Sequence, residues 1–107
     1  MELFSEANKI EIEVYDALKT VIDPELGINI VDLGLIYDIL YTQEKGIRIN
    51  MTLSSEGCPM GDVILADVNN VLSEKFPGIE NNVNLVWEPK WHSGFITPAG
   101  KKALNID

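Results

Sequence analysis

The sequence predicts an α+β domain of two layers, in the order α-β-β-α-β with a short terminal α, whose small mixed three-stranded sheet carries two main helices on one face. Three observations predict it. Apolar residues recur at three- and four-residue steps over residues 5–22 and again over 59–76, the period of helices with one buried face. Between them, Ile47, Ile49, Met51 and Leu53 alternate with Arg48, Asn50, Thr52 and Ser54, the period of a strand wet on one side. The second helix then carries the chain to a third apolar run. Strand–helix–strand crossovers are right-handed, which makes the second and third strands parallel.

The elements follow in order. In the first helix Ile10, Val14, Ala17, Leu18 and Val21 share a face, while Glu6, Lys9, Glu13, Asp16 and Lys19 take mostly other faces. Ser5 is its expected N-cap, and Pro24 is expected to end it, because a residue before proline is pushed out of the α region. The next segment, DPELGINIVDLG at residues 23–34, has no clean period. An irregular stretch of about a dozen residues in a small chain is more often functional than not. Leu35, Tyr37, Ile39 and Tyr41 alternate with Ile36, Asp38 and Leu40 as a strand, and the turn at Gln43–Gly46 joins it to its antiparallel neighbour. The second helix places Met60, Val63, Ile64, Val68, Val71, Leu72 and Phe76 at helical spacing before Pro77 and Gly78 stop it. Val83, Leu85 and Trp87 form the third strand, closed by Pro89. Thr97 and Pro98 read as an N-cap and first helical residue of a short helix through Leu104.

A chain of 107 residues is expected to be one domain, 1–107. Its 46% hydrophobic and 23% charged residues exclude a disordered chain. A formal charge of −9 argues against nucleic acid as a partner. Residues 1–38 hold nine acids against Lys9 and Lys19, a face that repels anionic membranes and suits a basic partner, although solvation alone explains it as well. The start of the chain lacks the basic and apolar regions of a signal peptide, and no apolar run approaches the ~20 residues of a bilayer span. A lone cysteine forms no intrachain disulfide, so a reducing, cytoplasmic setting is expected.

The most chemical position is Ser54-Ser55-Glu56-Gly57-Cys58-Pro59-Met60, between a strand and a helix. With Pro59 as the first helical residue, Cys58 falls at the N-cap, where free backbone N–H groups favour a thiolate, and Gly57 lets the backbone come close to a bound group. The helix terminus is worth only about 0.3–1 kcal/mol. That moves a thiol by less than one pKa unit, roughly 1.4 kcal/mol, and the neighbouring Glu56 and Asp62 oppose it. A packed, inert thiol is the competing reading. One cysteine is also too few for a stable cluster: a cluster held here needs a second subunit's Cys58, a partner's thiols or small-molecule thiols. His92 is the lone candidate base for a thiol enzyme, and it sits in a polar loop more suited to a surface residue. Asp23, Glu25 and Asp32 are ordinary turn formers singly. Together, on a loop folding towards Cys58, they are candidate metal or proton-handling groups. Trp91 is either a partner anchor or a lid on the core.

Taken together, DPELGINIVDLGLIYDI, MTLSSEGCPM, VNLVWEPKW and ITPAGKKAL resemble the small SufT/PaaD-type domain of iron–sulfur cluster assembly, from about Ile10 to Leu104. The resemblance implies the same α+β fold, a reactive cysteine at Cys58 in the Gly-Cys-Pro turn, and functional interest in Asp23 and Glu25. Thr52 matches the polar position of the strand feeding that turn. The general SufT-like branch is expected, since the cysteines that the phenylacetate-oxidation branch carries in a C-terminal extension are not found after Cys58. The expected role is an assembly or maturation factor that meets cluster carriers or scaffolds and apo-targets through Cys58. It would hold an iron–sulfur cluster only transiently, with none tightly bound at rest, and a homodimer would be one way to supply a second thiol. A thiol enzyme using Cys58 and His92, or an adaptor with an incidental cysteine, are the rival functions.

Overall fold

The computed structural model describes residues 6–54 and 61–105. Helix α1 spans Glu6–Leu18, strands β1 and β2 span Ile36–Thr42 and Gly46–Met51, and α2 spans Gly61–Lys75. Strand β3 spans Asn81–Leu85, followed by a 3₁₀ turn at Ser93–Phe95 and helix α3 at Pro98–Ala103. The sheet order is β1-β2-β3, antiparallel between β1 and β2 and parallel between β2 and β3. This is the mixed sheet that the crossover through α2 requires.

Strand β2 is central, and its period-two pattern sets the layers. Ile47, Ile49 and Met51 are fully buried against α1 and α2, which contribute Val14, Leu18, Ile64, Val68 and Leu72 to one core. Burying each such side chain stabilises the fold by about 1.5–3 kcal/mol. The opposite face stays polar: Asn50 donates to Asp38, and Asn84 donates to Asn50.

Several boundaries differ from the sequence reading. Helix α1 ends at Leu18 rather than near Val21, because Lys19, Thr20 and Val21 donate to carbonyls three residues back and the Thr20 hydroxyl takes the Ala17 carbonyl. That tightening unwinds the last turn before Pro24 acts. Strand β3 starts at Asn81 and ends at Leu85; Val86 still donates to Met51, while Trp87 leaves the ladder and packs on the core half-buried. The alternation expected for β1 is broken by a bulge between Ile36 and Asp38, where one step of β2, Met51 to Asn50, faces two steps of β1. Tyr37 therefore leaves the core face, whereas Ile39 and Tyr41 keep it. The expected cap at Ser5 lies outside the described residues.

The irregular segment is more apolar inside than its lack of period suggests. Ile28, Ile30, Val31, Leu33 and Leu35 are all buried. Asp23 and Ile28 are joined by a backbone bond below the Ile22–Asn29 bridge, and Gly27 closes the turn on the Asp23 carbonyl. Gly34 has a positive φ of 78° and packs so closely on the Phe95 backbone that a Cβ there would collide with it.

Candidate functional site

The sheet ends of β2 and β3, the approach to β1 and the chain after β3 meet at one end of the domain. Thr52 donates its backbone N–H to Leu35, and Val86 donates to Met51, so all three strands are tied together there. From Leu53 and Ser54 the chain enters the stretch 55–60, which returns at Gly61, the start of α2. Gly61 lies against the Leu53 side chain, leaving no room for a Cβ without displacing it. Cys58 and Gly57, the central residues of the expected site, lie outside the described residues. Their place in the topology is set by the neighbours: they join the carboxyl end of the central strand to the amino end of the crossover helix.

Thr52 is 1% exposed although it falls on the polar face of β2. The bulged residue Tyr37 accounts for this. Its phenol lies beside the Thr52 side chain and donates to the Pro89 carbonyl at 2.7 Å. Desolvation raises the Tyr37 pKa above the usual phenol value of 10.0, the Thr52 side chain opposes the shift, and the Glu88 carboxylate adds to it. Tyr37 is thus a neutral donor through the physiological range. Its ring stands edge-on to Phe95 at 5.9 Å. With Gly34, Ile36, Asp38, Val86 and Glu88, these aromatic residues line a groove of about 590 Å³ on the open face.

The acids of the irregular segment do different work from one another. Asp23 is buried, and its Oδ1 accepts from the backbone N–H groups of Glu25 at 2.8 Å and Leu26 at 3.3 Å, which fixes the turn. Glu25 is exposed on that turn. Asp32 binds Asn29 through Oδ2 and the Thr97 hydroxyl through Oδ1, and its carbonyl accepts from the Thr97 backbone. Thr97 in turn caps α3 by accepting from the Gly100 N–H. Asp32 therefore clasps the C-terminal helix to the loop. Among the described residues no three His, Cys, Asp or Glu side chains are grouped as metal ligands. Any approach of Asp23 or Glu25 to Cys58 involves residues outside those described.

Trp91 acts as a lid: it is half-buried on the core, and its indole N–H donates to the Leu33 carbonyl at 2.8 Å. His92 caps the 3₁₀ turn, with Nδ1 accepting from the Gly94 N–H, and its ring lies 4.2 Å from that of Phe95. One ring nitrogen is thereby committed to the backbone. Sequence reasoning missed Tyr37, because a bulge has no signature in a hydrophobic alternation. The burial of a threonine on a wet face is the signal that a cover was needed.

The fold and this strand-to-helix junction define a small α+β domain of a kind already seen in solved structures. A Bacillus anthracis domain of unknown function, DUF59, superposes with a TM-score of 0.88 at 42% identity, covering 94% of this chain and 96% of that one. A conserved hypothetical protein of Thermotoga maritima superposes at 0.75 with 33% identity over 90% and 94% of the two chains. Residues 11–85 match the family model described as iron–sulfur cluster assembly protein, and the chain belongs to that family. It is 46% identical over 87 residues to the Fe–S protein maturation auxiliary factor SufT of Staphylococcus aureus, covering 80% of this chain and 98% of that protein. It is 38% identical over 93 residues to the auxiliary factor YitW of Bacillus subtilis, covering 87% and 91%. The SufT/PaaD-type resemblance read from the four motifs is thus correct, and it carries a role in iron–sulfur protein assembly with it.

Proposed function

We propose that this chain assists maturation of iron–sulfur proteins by offering the Cys58 thiolate to a cluster in transit between a carrier or scaffold and an apo-target. The observation that carries the reading is positional. The chain's only cysteine falls in the connection between the carboxyl end of the central strand and the amino end of α2. The residues on both sides are packed: Thr52 is buried, and Gly61 is seated on Leu53. Thiolate ligation at such a turn is assisted by the free N–H groups of a helix start. One thiol supplies a quarter of the usual four-thiolate cluster shell, so the cargo passes through and does not reside. The remaining ligands come from the carrier, the target, a small-molecule thiol or a second subunit. In this reading Asp23 and Glu25 support the thiol from the DPE turn, which the Asp23 carboxylate fixes. The protein acts as a non-enzymatic factor in the cytoplasm.

The test is complementation. In cells lacking the protein, the wild type should restore the activity of iron–sulfur enzymes and Cys58→Ser, at equal protein level and melting temperature, should not. Full rescue by the serine variant would remove Cys58 from the mechanism.

A further inference from the structure

The two ladder bonds at the ends of β3 fix which of its backbone groups face inward. Ile47 donates to the Glu80 carbonyl, Val86 donates to the Met51 carbonyl, and Ile49 stands opposite Val83. In a parallel pair this phase turns the N–H and C=O groups of residues 80, 82, 84 and 86 towards β2. The backbone groups of Asn81, Val83 and Leu85 therefore point away from the sheet. No hydrogen bond from a described residue reaches them, and among the described elements β2 and α2 pack most closely against β3.

Strand β3 also lacks the features that discourage pairing at an edge. From Asn81 to Trp87 there is no charged residue and no proline, and the β2–β3 register is unbroken. An exposed carboxylate, Glu80, stands at the amino end of this neutral stretch, whereas Glu88 after it lines the groove beside Tyr37 on the open face, away from the edge. We propose that the β3 edge accepts an extended segment of a partner protein as a fourth strand, with an uncharged centre and a Lys or Arg where it passes Glu80. Main-chain bonds to Asn81, Val83 and Leu85 supply affinity, and the charge at Glu80 supplies selection. A second copy of this chain is the poorer occupant, because each copy carries −9 and would bring acids against acids. The carboxyl end of β3 is bonded to Met51, just before the chain runs through Thr52 into the stretch 55–60. An added strand is therefore anchored at the same end of the sheet as the entry to the Cys58 turn. That the partner is a cluster carrier or target rests on the function proposed above; the pairing itself does not.

The experiment uses the full chain and a capped peptide, Lys-Thr-Val-Thr-Val-Thr-Val-Thr-Lys, as probe. With peptide present, amide hydrogen exchange at Asn81, Val83 and Leu85 should slow by about ten-fold or more, while Asn82 and Asn84, already bonded to β2, should not change. Val83→Pro removes one outward N–H and leaves the β2 ladder intact, so it should weaken binding by roughly ten-fold with an unchanged Cys58 alkylation rate. Glu80→Lys should weaken binding, most at low salt, whereas Glu88→Lys, away from the edge, should leave it nearly unchanged. Cys58→Ser should bind peptide as the wild type does, which separates failure of this inference from failure of the thiol reading. No binding at about 1 mM peptide, protection without the alternate pattern, or full binding by a folded Val83→Pro would overturn the proposal. Peptide-free, concentration-dependent protection of the same three amides would assign the edge to a second copy instead.

Discussion

The two edges of the sheet are treated in opposite ways. At β1 the Glu11 carboxylate of α1 reaches over and accepts from the outward N–H of Tyr41 at 2.9 Å. The bulge at Tyr37 then twists the same strand out of register, and the chain after β3 returns to it, with Tyr37 bonded to Pro89. Helix, bulge and returning chain together leave little flat edge for another strand. At β3 none of these devices is found among the described residues, and the strand is neutral from end to end. An open edge in this fold is therefore not a by-product of small size. The same chain closes one edge with specific side chains and leaves the other bare. Substitutions at the closed edge should therefore cost stability, and those at the open edge should cost recognition.

The largest stability effect is expected from Glu11→Ala. It strands the Tyr41 N–H at a half-buried edge and should destabilise the protein by about 1–3 kcal/mol in urea unfolding, the range for leaving a buried donor unsatisfied. Tyr41 amide exchange should quicken in parallel. Glu11→Gln keeps an acceptor and should lose less. If Glu11→Ala unfolds at the wild-type midpoint, the closed edge is not held by this contact.

A smaller effect is expected from Tyr37→Phe, about 0.5–1.5 kcal/mol, for the neutral hydrogen bond to Pro89. Its pH dependence is more telling. The folded-state pKa of Tyr37 is raised, so the native state retains the phenol proton longer than the unfolded chain does. The stability linked to this group is fully present below pH 10.0 and is lost as pH rises from there through the folded value. The wild type should thus lose stability above that pH more steeply than Tyr37→Phe. Parallel alkaline curves would show that the phenol is as solvated in the folded protein as in the unfolded chain.

The smallest effect belongs to the open edge. Asn82 is exposed, and Asn82→Lys should change stability by no more than about 0.5 kcal/mol. It should nevertheless lower affinity for the Lys-flanked peptide, since it sets a cation beside the added strand. A destabilisation of several kcal/mol would mean that β3 is covered, and the comparison of edges would lose its basis.

Periodicity carried the architecture because burial is a local rule for regular elements. A strand that buries Ile47, Ile49 and Met51 must write alternation into its sequence, and a helix burying Ile64, Val68 and Leu72 must write steps of four. The Thr97–Pro98 start of α3 was equally legible, since capping needs only neighbouring residues. The cysteine, the DPE turn and the family were legible as motifs. What the sequence did not show is what depends on contacts far along the chain. Asp32 appeared as one of several loop acids, yet its partner is Thr97, 65 residues away. Trp91 reads as either anchor or lid from its neighbours in sequence, and its N–H bond to the Leu33 carbonyl, 58 residues away, makes it a lid. Tyr37 was expected on the core face, and only the register against β2 shows the bulge that turns it onto Thr52. The open edge of β3 is of the same kind. Asn81–Leu85 reads as a strand from its residues alone, but whether a strand lies at the edge is a fact about its neighbours, and only their placement decides which N–H groups remain unpaired.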